Sequence, residues 1–155
     1  MIDLGIRDIP RGTSLVIPVT VEGDVIGSRV GFVIRPQRWS SSADDTDATV
    51  NIKINFRSVD LYIELSMLED VTAQDLVLVE ETGVVYHKVA GVWSVFSFGP
   101  TDFHNGEFPV VIPSESTKVA PGRYYYSLDI KRPTGLVEKI ARGSVRISTN
   151  TVNEI

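Results

Sequence analysis

Apolar residues recur at every second position through most of this chain, and that spacing fixes the kind of structure it can form. A period of two places alternate side chains on opposite faces of an extended strand, so the pattern marks half-buried β-strands. Leu15, Ile17, Val19 and Val21 share one face, with Ser14 and Thr20 on the other. Val30, Phe32 and Ile34 repeat the pattern, as do Val50, Ile52, Ile54 and Phe56, and Leu61, Ile63 and Leu65. The runs Leu76 to Glu80, Val84 to Val89 and Val92 to Phe98 are rich in β-formers. Thr82-Gly83 and Ala90-Gly91 separate them as turns. Val110 to Ile112, Arg123 to Lys131, Leu136 to Ala141 and Ser144 to Ile147 complete the set.

Pro18 stands inside the first run and cannot donate to a ladder, which makes that run an edge strand. Only Thr72-Ala73-Gln74-Asp75 has a helical signature, the Ser/Thr-x-x-Asp/Glu form of a capping box, and it has room for one short turn. Many short strands with regular turn signals predict an all-β protein, an antiparallel sandwich or barrel.

The chain has no cysteine, which excludes a disulfide framework, a thiolate metal site and a cysteine nucleophile. Its 155 residues fit one domain with an apolar core large enough to need no staple. Fifteen basic against twenty acidic residues give a net charge of −5, which argues against a nucleic-acid partner. The acidic start carries no secretory pattern, and no apolar run is long enough to span a bilayer, so neither export nor a membrane partner is expected.

Candidate chemistry is sparse. His87 lies in a strand and reads as a packing residue. His104 falls in Asp102-x-His104-x-x-Glu107, whose side chains suit Zn or Mn but match no established ligand spacing. Asp44, Asp45 and Asp47 offer oxygen ligands without the glycine turn and distal glutamate of a calcium loop. No phosphate loop, nucleophile elbow or zinc-protease motif occurs, and neither an enzymatic activity nor a cofactor or metal is expected. Trp39, Trp93 and Tyr124 to Tyr126 raise the alternative of an aromatic platform for glycans. Tyr124 and Tyr126 share one strand face, so at least one tyrosine of this group belongs to the core.

Two loops are expected to carry contacts. Ser40 to Asp47 is small, polar and acidic, and Pro100 to Gly106 forms the second. The expected interaction residues are Trp39, Asp44, Asp45 and Asp47 beside and within the first, and Phe103 and His104 in the second.

The last third of the chain adds a family likeness. Pro121-Gly122 leads into Tyr124-x-Tyr126-x-Leu128-x-Ile130. Pro133-Thr134-Gly135 closes a hairpin, Val137 and Ile140 lie on the return strand, and Gly143 marks a bend or bulge before Val145 and Ile147. Near the start stand Arg11-Gly12-Thr13, Leu15-x-Ile17-x-Val19 and Val30-x-Phe32-x-Ile34-Arg35. These segments resemble the Ig-like domains of tailed-bacteriophage baseplate and tail proteins, such as the amino-terminal domain of baseplate upper proteins. The chain departs from the pattern at Ser127, where the family usually has Asp, and in residues 57–98, which read as extra strands.

The resemblance implies one Ig-like sandwich over residues 1–147, while the polar, weakly patterned run 148–155 reads as a tail that orders only against a partner. It implies a structural protein of a virion, made in the bacterial cytoplasm and built into a tail tip or baseplate. Its partners would be many copies of itself and other phage structural proteins in symmetric contact. A head decoration or head–tail connector protein and a carbohydrate-binding module are the alternatives.

Overall fold

The computed structural model describes residues 3–36 and 48–149. Ten strands form two unequal sheets. They are β1 (Asp8–Pro10), β2 (Leu15–Thr20), β3 (Arg29–Arg35), β4 (Val50–Val59), β5 (Asp75–Val79), β6 (Val84–Val89), β7 (Val92–Val95), β8 (Glu107–Ile112), β9 (Gly122–Lys131) and β10 (Val137–Ser148). Eight pair in the order β1-β10-β9-β3-β4-β5-β6-β7, while β2 and β8 form a sheet of their own. The fold is therefore all-β and sandwich-like. Its division differs from the near-equal sheets of a plain Ig-like domain. Most neighbours are antiparallel, but β1 runs parallel to β10 and β4 parallel to β5.

The core follows from the alternation. Val30, Phe32 and Ile34 of β3 and Tyr124, Tyr126, Leu128 and Ile130 of β9 point to one face and are buried. Ile17 and Val19 of β2 and Phe108, Val110 and Ile112 of β8 meet them from the small sheet. Phe56 lies between Phe103 and Phe108, with ring centroids 4.9 and 5.0 Å away. Tyr124 ends in a polar group, and its Oη donates to the carbonyl of Ala120 at 2.6 Å. That bond four residues upstream is the arrangement of a tyrosine corner.

Residues 57–98 extend the same large sheet. Parallel strands cannot be joined by a tight turn, so the chain crosses from β4 to β5 through a 3-10 segment, Tyr62–Met67. This corrects the strand expected at Leu61, Ile63 and Leu65. Leu65 alone of the three is buried, against Val59 at the end of β4 and Val77 and Val79 on the outer face of β5. Leu76 and Leu78 face the main core, so β5 is covered on both sides, as parallel strands generally are.

Asp75 pins the crossover. Its buried carboxylate accepts from Thr72 N at 3.0 Å and Asn55 Nδ2 at 2.9 Å, and Arg57 Nη1 stands 3.5 Å away. One of the two capping-box bonds expected at Thr72–Asp75 forms, from Thr72 N to Asp75; the Thr72 hydroxyl accepts from Gln74 N instead, and the segment closes a turn that runs straight into β5 rather than a helix.

In the β9–β10 hairpin, Gly135 takes φ +90° as its turn requires. The bulge lies between Lys139 and Ala141, not at Gly143. Gly143 instead makes room for the ring of Tyr126 opposite it, since a Cβ there would stand 2.7 Å from Tyr126 Oη. Among the described residues no helix is long and apolar enough to cross a membrane.

Candidate interaction surface

The 3-10 turn Phe103–Asn105 sits at one end of the sandwich and points its two sequence-selected residues in opposite directions. Gly106 ends the turn at φ +78°, and a Cβ there would overlap the Val21 carbonyl oxygen and stand 2.7 Å from that of Gly23. The close approach lets Val21 N donate to Gly106 O at 2.9 Å, while Val25 N donates to Phe103 O at 3.0 Å. The turn is thereby stitched to the β2–β3 loop.

Phe103 is fully buried against Phe56. It belongs to the core and offers no contact surface, which corrects its expected place at an interface. An aromatic residue between polar neighbours in a Pro- and Gly-bounded loop looks exposed in sequence. Only the position of Phe56 shows otherwise.

His104 faces solvent and bridges two segments remote from it in sequence. Its Nδ1 lies 2.7 Å from Asp24 Oδ2 in the β2–β3 loop, and its Nε2 lies 2.7 Å from Glu80 Oε1 just beyond β5. A neutral imidazole has one N–H, and carboxylates only accept, so both bonds form together only in the imidazolium. The hydrogen bonds to Asp24 and Glu80 accordingly raise the His104 pKa above 6.5. Partial burial opposes ionisation of Asp24, but the bonds from His104 and Ile26 N hold its pKa below 3.8. Beside them Arg132 donates to the carbonyls of Glu22 at 2.7 Å and Asp24 at 3.2 Å, and binds Glu138 at 3.3 Å.

Asp102 and Glu107, the neighbours considered as metal ligands with His104, do not join it, and Asp102 instead accepts from Asn105 Nδ2 at 2.8 Å. Among the described residues no group of three His, Asp or Glu side chains is placed to hold a metal ion. Trp39, Asp44, Asp45 and Asp47 lie outside the described residues. Of the other aromatic candidates, Tyr124 and Tyr126 are buried, Tyr125 is half-buried, and Trp93 packs against the Val59, Leu65, Val77 and Val79 cluster with Lys88 Nζ 5.5 Å above its ring. His87 packs edge-on to Phe96 at 5.2 Å, and desolvation lowers its pKa.

The sheet edges give a clearer signal. Among the described residues the edge strands are β1, β7, β2 and β8. Pro18 stands opposite Pro109, and neither has an N–H. That pair must therefore occupy a position whose polar groups point away from the partner strand, toward the outer edges of β2 and β8. In β1, Arg7 O accepts from Arg146 N and Arg11 N donates to Ser148 O, so odd-numbered residues face β10 and Pro10 faces outward. Three edges thus lack an outward donor at a proline, a device that blocks strand addition.

The fourth edge, β7, has no proline, and no charged residue occurs from Gly91 to Pro100. Val92 and Val95 there are 64% and 55% exposed, and Val89 and Phe98 beside them are about half exposed. The sequence showed Pro18 as an edge marker. It could not show which strand stands last in the large sheet, because that depends on the parallel insertion of β5.

No protein-family model, curated protein or solved structure matches the chain.

Proposed function

We propose that this chain is a structural protein of a tailed-phage or prophage particle, in the tail tip or baseplate, working through repeated symmetric contacts with copies of itself and neighbouring structural proteins. The observation that carries the reading is the distribution of edge devices: three edges blocked by proline and one left apolar and uncharged. A monomeric protein gains nothing from a single open edge, whereas an assembling subunit uses it as a joint. The likeness of residues 111–147 to phage Ig-like domains supports the same conclusion, as does a core that needs no metal or disulfide. On this reading the protein is made in the host cytoplasm and resides in the virion. Immunogold labelling of purified particles tests it. Label at the tail end is the expected result. Label on the capsid shell would favour a head decoration protein, and particles without the chain would end the virion reading.

A further inference from the structure

We infer that β7 is a self-association strand, and that two copies of this chain join by antiparallel β7–β7 pairing across a twofold axis to form one continuous sheet. The hairpin geometry identifies which groups are free to do this. Ala90 and Gly91 both have positive φ, the signature of a two-residue turn that makes Val89 and Val92 a hydrogen-bonded pair. The alternation then continues, with Trp93 opposite Lys88, Ser94 opposite His87 and Val95 opposite Tyr86, and Phe96 N donates to Val85 O at 2.8 Å. Val92, Ser94 and Phe96 therefore spend their polar groups on β6. Trp93 and Val95 turn theirs outward, where no described residue meets them.

A second copy fits these groups in one register. With Ser94 on the axis opposite its own symmetry mate, Trp93 of each copy faces Val95 of the other, and the two outward residues exchange both N–H···O bonds. On the outer face this makes an aromatic–β-branched cross-strand pair, a favourable combination, and it does so twice. On the core-facing side Val92 comes opposite Phe96 of the second copy, covering the most exposed valine of the strand. Charge permits the joint although each chain carries −5. Lys88 is one strand back from the edge, and its symmetry mate would lie three strand spacings away, about 14 Å, beyond the screening length at physiological salt. The pairing needs only this edge and stands or falls independently of the virion reading.

The absence of cysteine supplies a direct test in the full-length chain. Ser94 at the axis is a non-hydrogen-bonded position, where opposed Cα atoms lie about 4.5 Å apart, inside the span of about 4.4–6.8 Å that a disulfide bridges. Ser94→Cys is expected to oxidise to a covalent dimer on a non-reducing gel, while Val92→Cys, off the axis, stays monomeric. In sedimentation equilibrium the unmodified chain is expected at twice its 17.1 kDa mass. Ser94→Lys sets like charges against each other on the axis and is expected to weaken the dimer by about tenfold or more, with Ser94→Thr as the tolerated control. Circular dichroism establishes that each variant is folded. A chain that sediments as a monomer overturns the inference, and so does a dimer insensitive to Ser94→Lys with no cross-link at position 94.

Discussion

Replacing Phe103 with alanine separates the two roles that sequence and structure give this residue. The side chain is fully buried and meets Phe56 edge-on at 4.9 Å. Phe-to-Ala truncation in a close-packed core costs about 3–5 kcal/mol through lost transfer energy and the cavity left behind. The ring pair accounts for about 0.5–1.5 kcal/mol of that. The backbone of the turn is untouched, since the Phe103 carbonyl keeps its bonds from Val25 N and Gly106 N. The loss therefore measures the ring and not the loop.

Urea unfolding followed by tryptophan fluorescence is the assay. With a slope of about 2 kcal/mol per molar, the midpoint should fall by about 2 M. Phe103→Leu keeps most of the volume and should cost less than about 1.5 kcal/mol. A cycle combining Phe103→Ala with Phe56→Ala should show less than additive loss, because the two rings touch. A Phe103→Ala variant as stable as the parent chain would refute the core assignment and return Phe103 to the surface.

Three further outcomes follow from the same geometry. Gly106→Ala, at φ +78° with two carbonyls in the way, should lose at least about 2 kcal/mol, whereas Gly135→Ala, at φ +90° in open space, should lose only about 1 kcal/mol by the same unfolding measurement. The His104 bridge is fully present below pH 6.5 and is lost as pH rises through the raised value of the folded state, so stability should decline over that interval. Solvent exposure limits the effect to about 1 kcal/mol or less, and unfolding of His104→Gln across the same interval should lack the decline. Asp75→Ala strands the donors of Thr72 and Asn55 in a buried site and should cost about 2–3 kcal/mol by denaturant titration, far more than an exposed carboxylate such as Asp3.

The strands were legible where burial is one-sided, because period two then has only one physical reading. Val50 to Phe56 and Tyr124 to Ile130 occupy the faces their alternation assigns. Leu76 to Val79 was legible for another reason: a short, unbroken β-forming run suits a strand covered on both faces. Leu61, Ile63 and Leu65 show where pattern fails. Their spacing is that of a strand, yet Leu61 and Ile63 are exposed, and Glu64 Oε1 accepts from Leu61 N at 2.7 Å to close a 3-10 turn. The need to cross between parallel strands outweighed local preference there. The His104 bridge was out of reach of any local motif, since Asp24 and Glu80 lie 80 and 24 residues away from it in sequence. Asp102 and Glu107 were nearer and chemically equivalent, but pointed elsewhere.

The edge prolines also set a valence. A subunit with one adhesive edge forms one strand-to-strand joint, and association closes at two because the twofold consumes both free edges. Pro10, Pro18 and Pro109 are what keep that number at one. Restoring an N–H at one of these edges, as by Pro10→Thr or Pro18→Thr, gives the subunit a second joint that the β7 twofold does not close. The predicted product is no longer a pair but an open-ended strand-linked polymer. One main-chain hydrogen at the rim of a sheet thus decides between a component of defined size and a fibre.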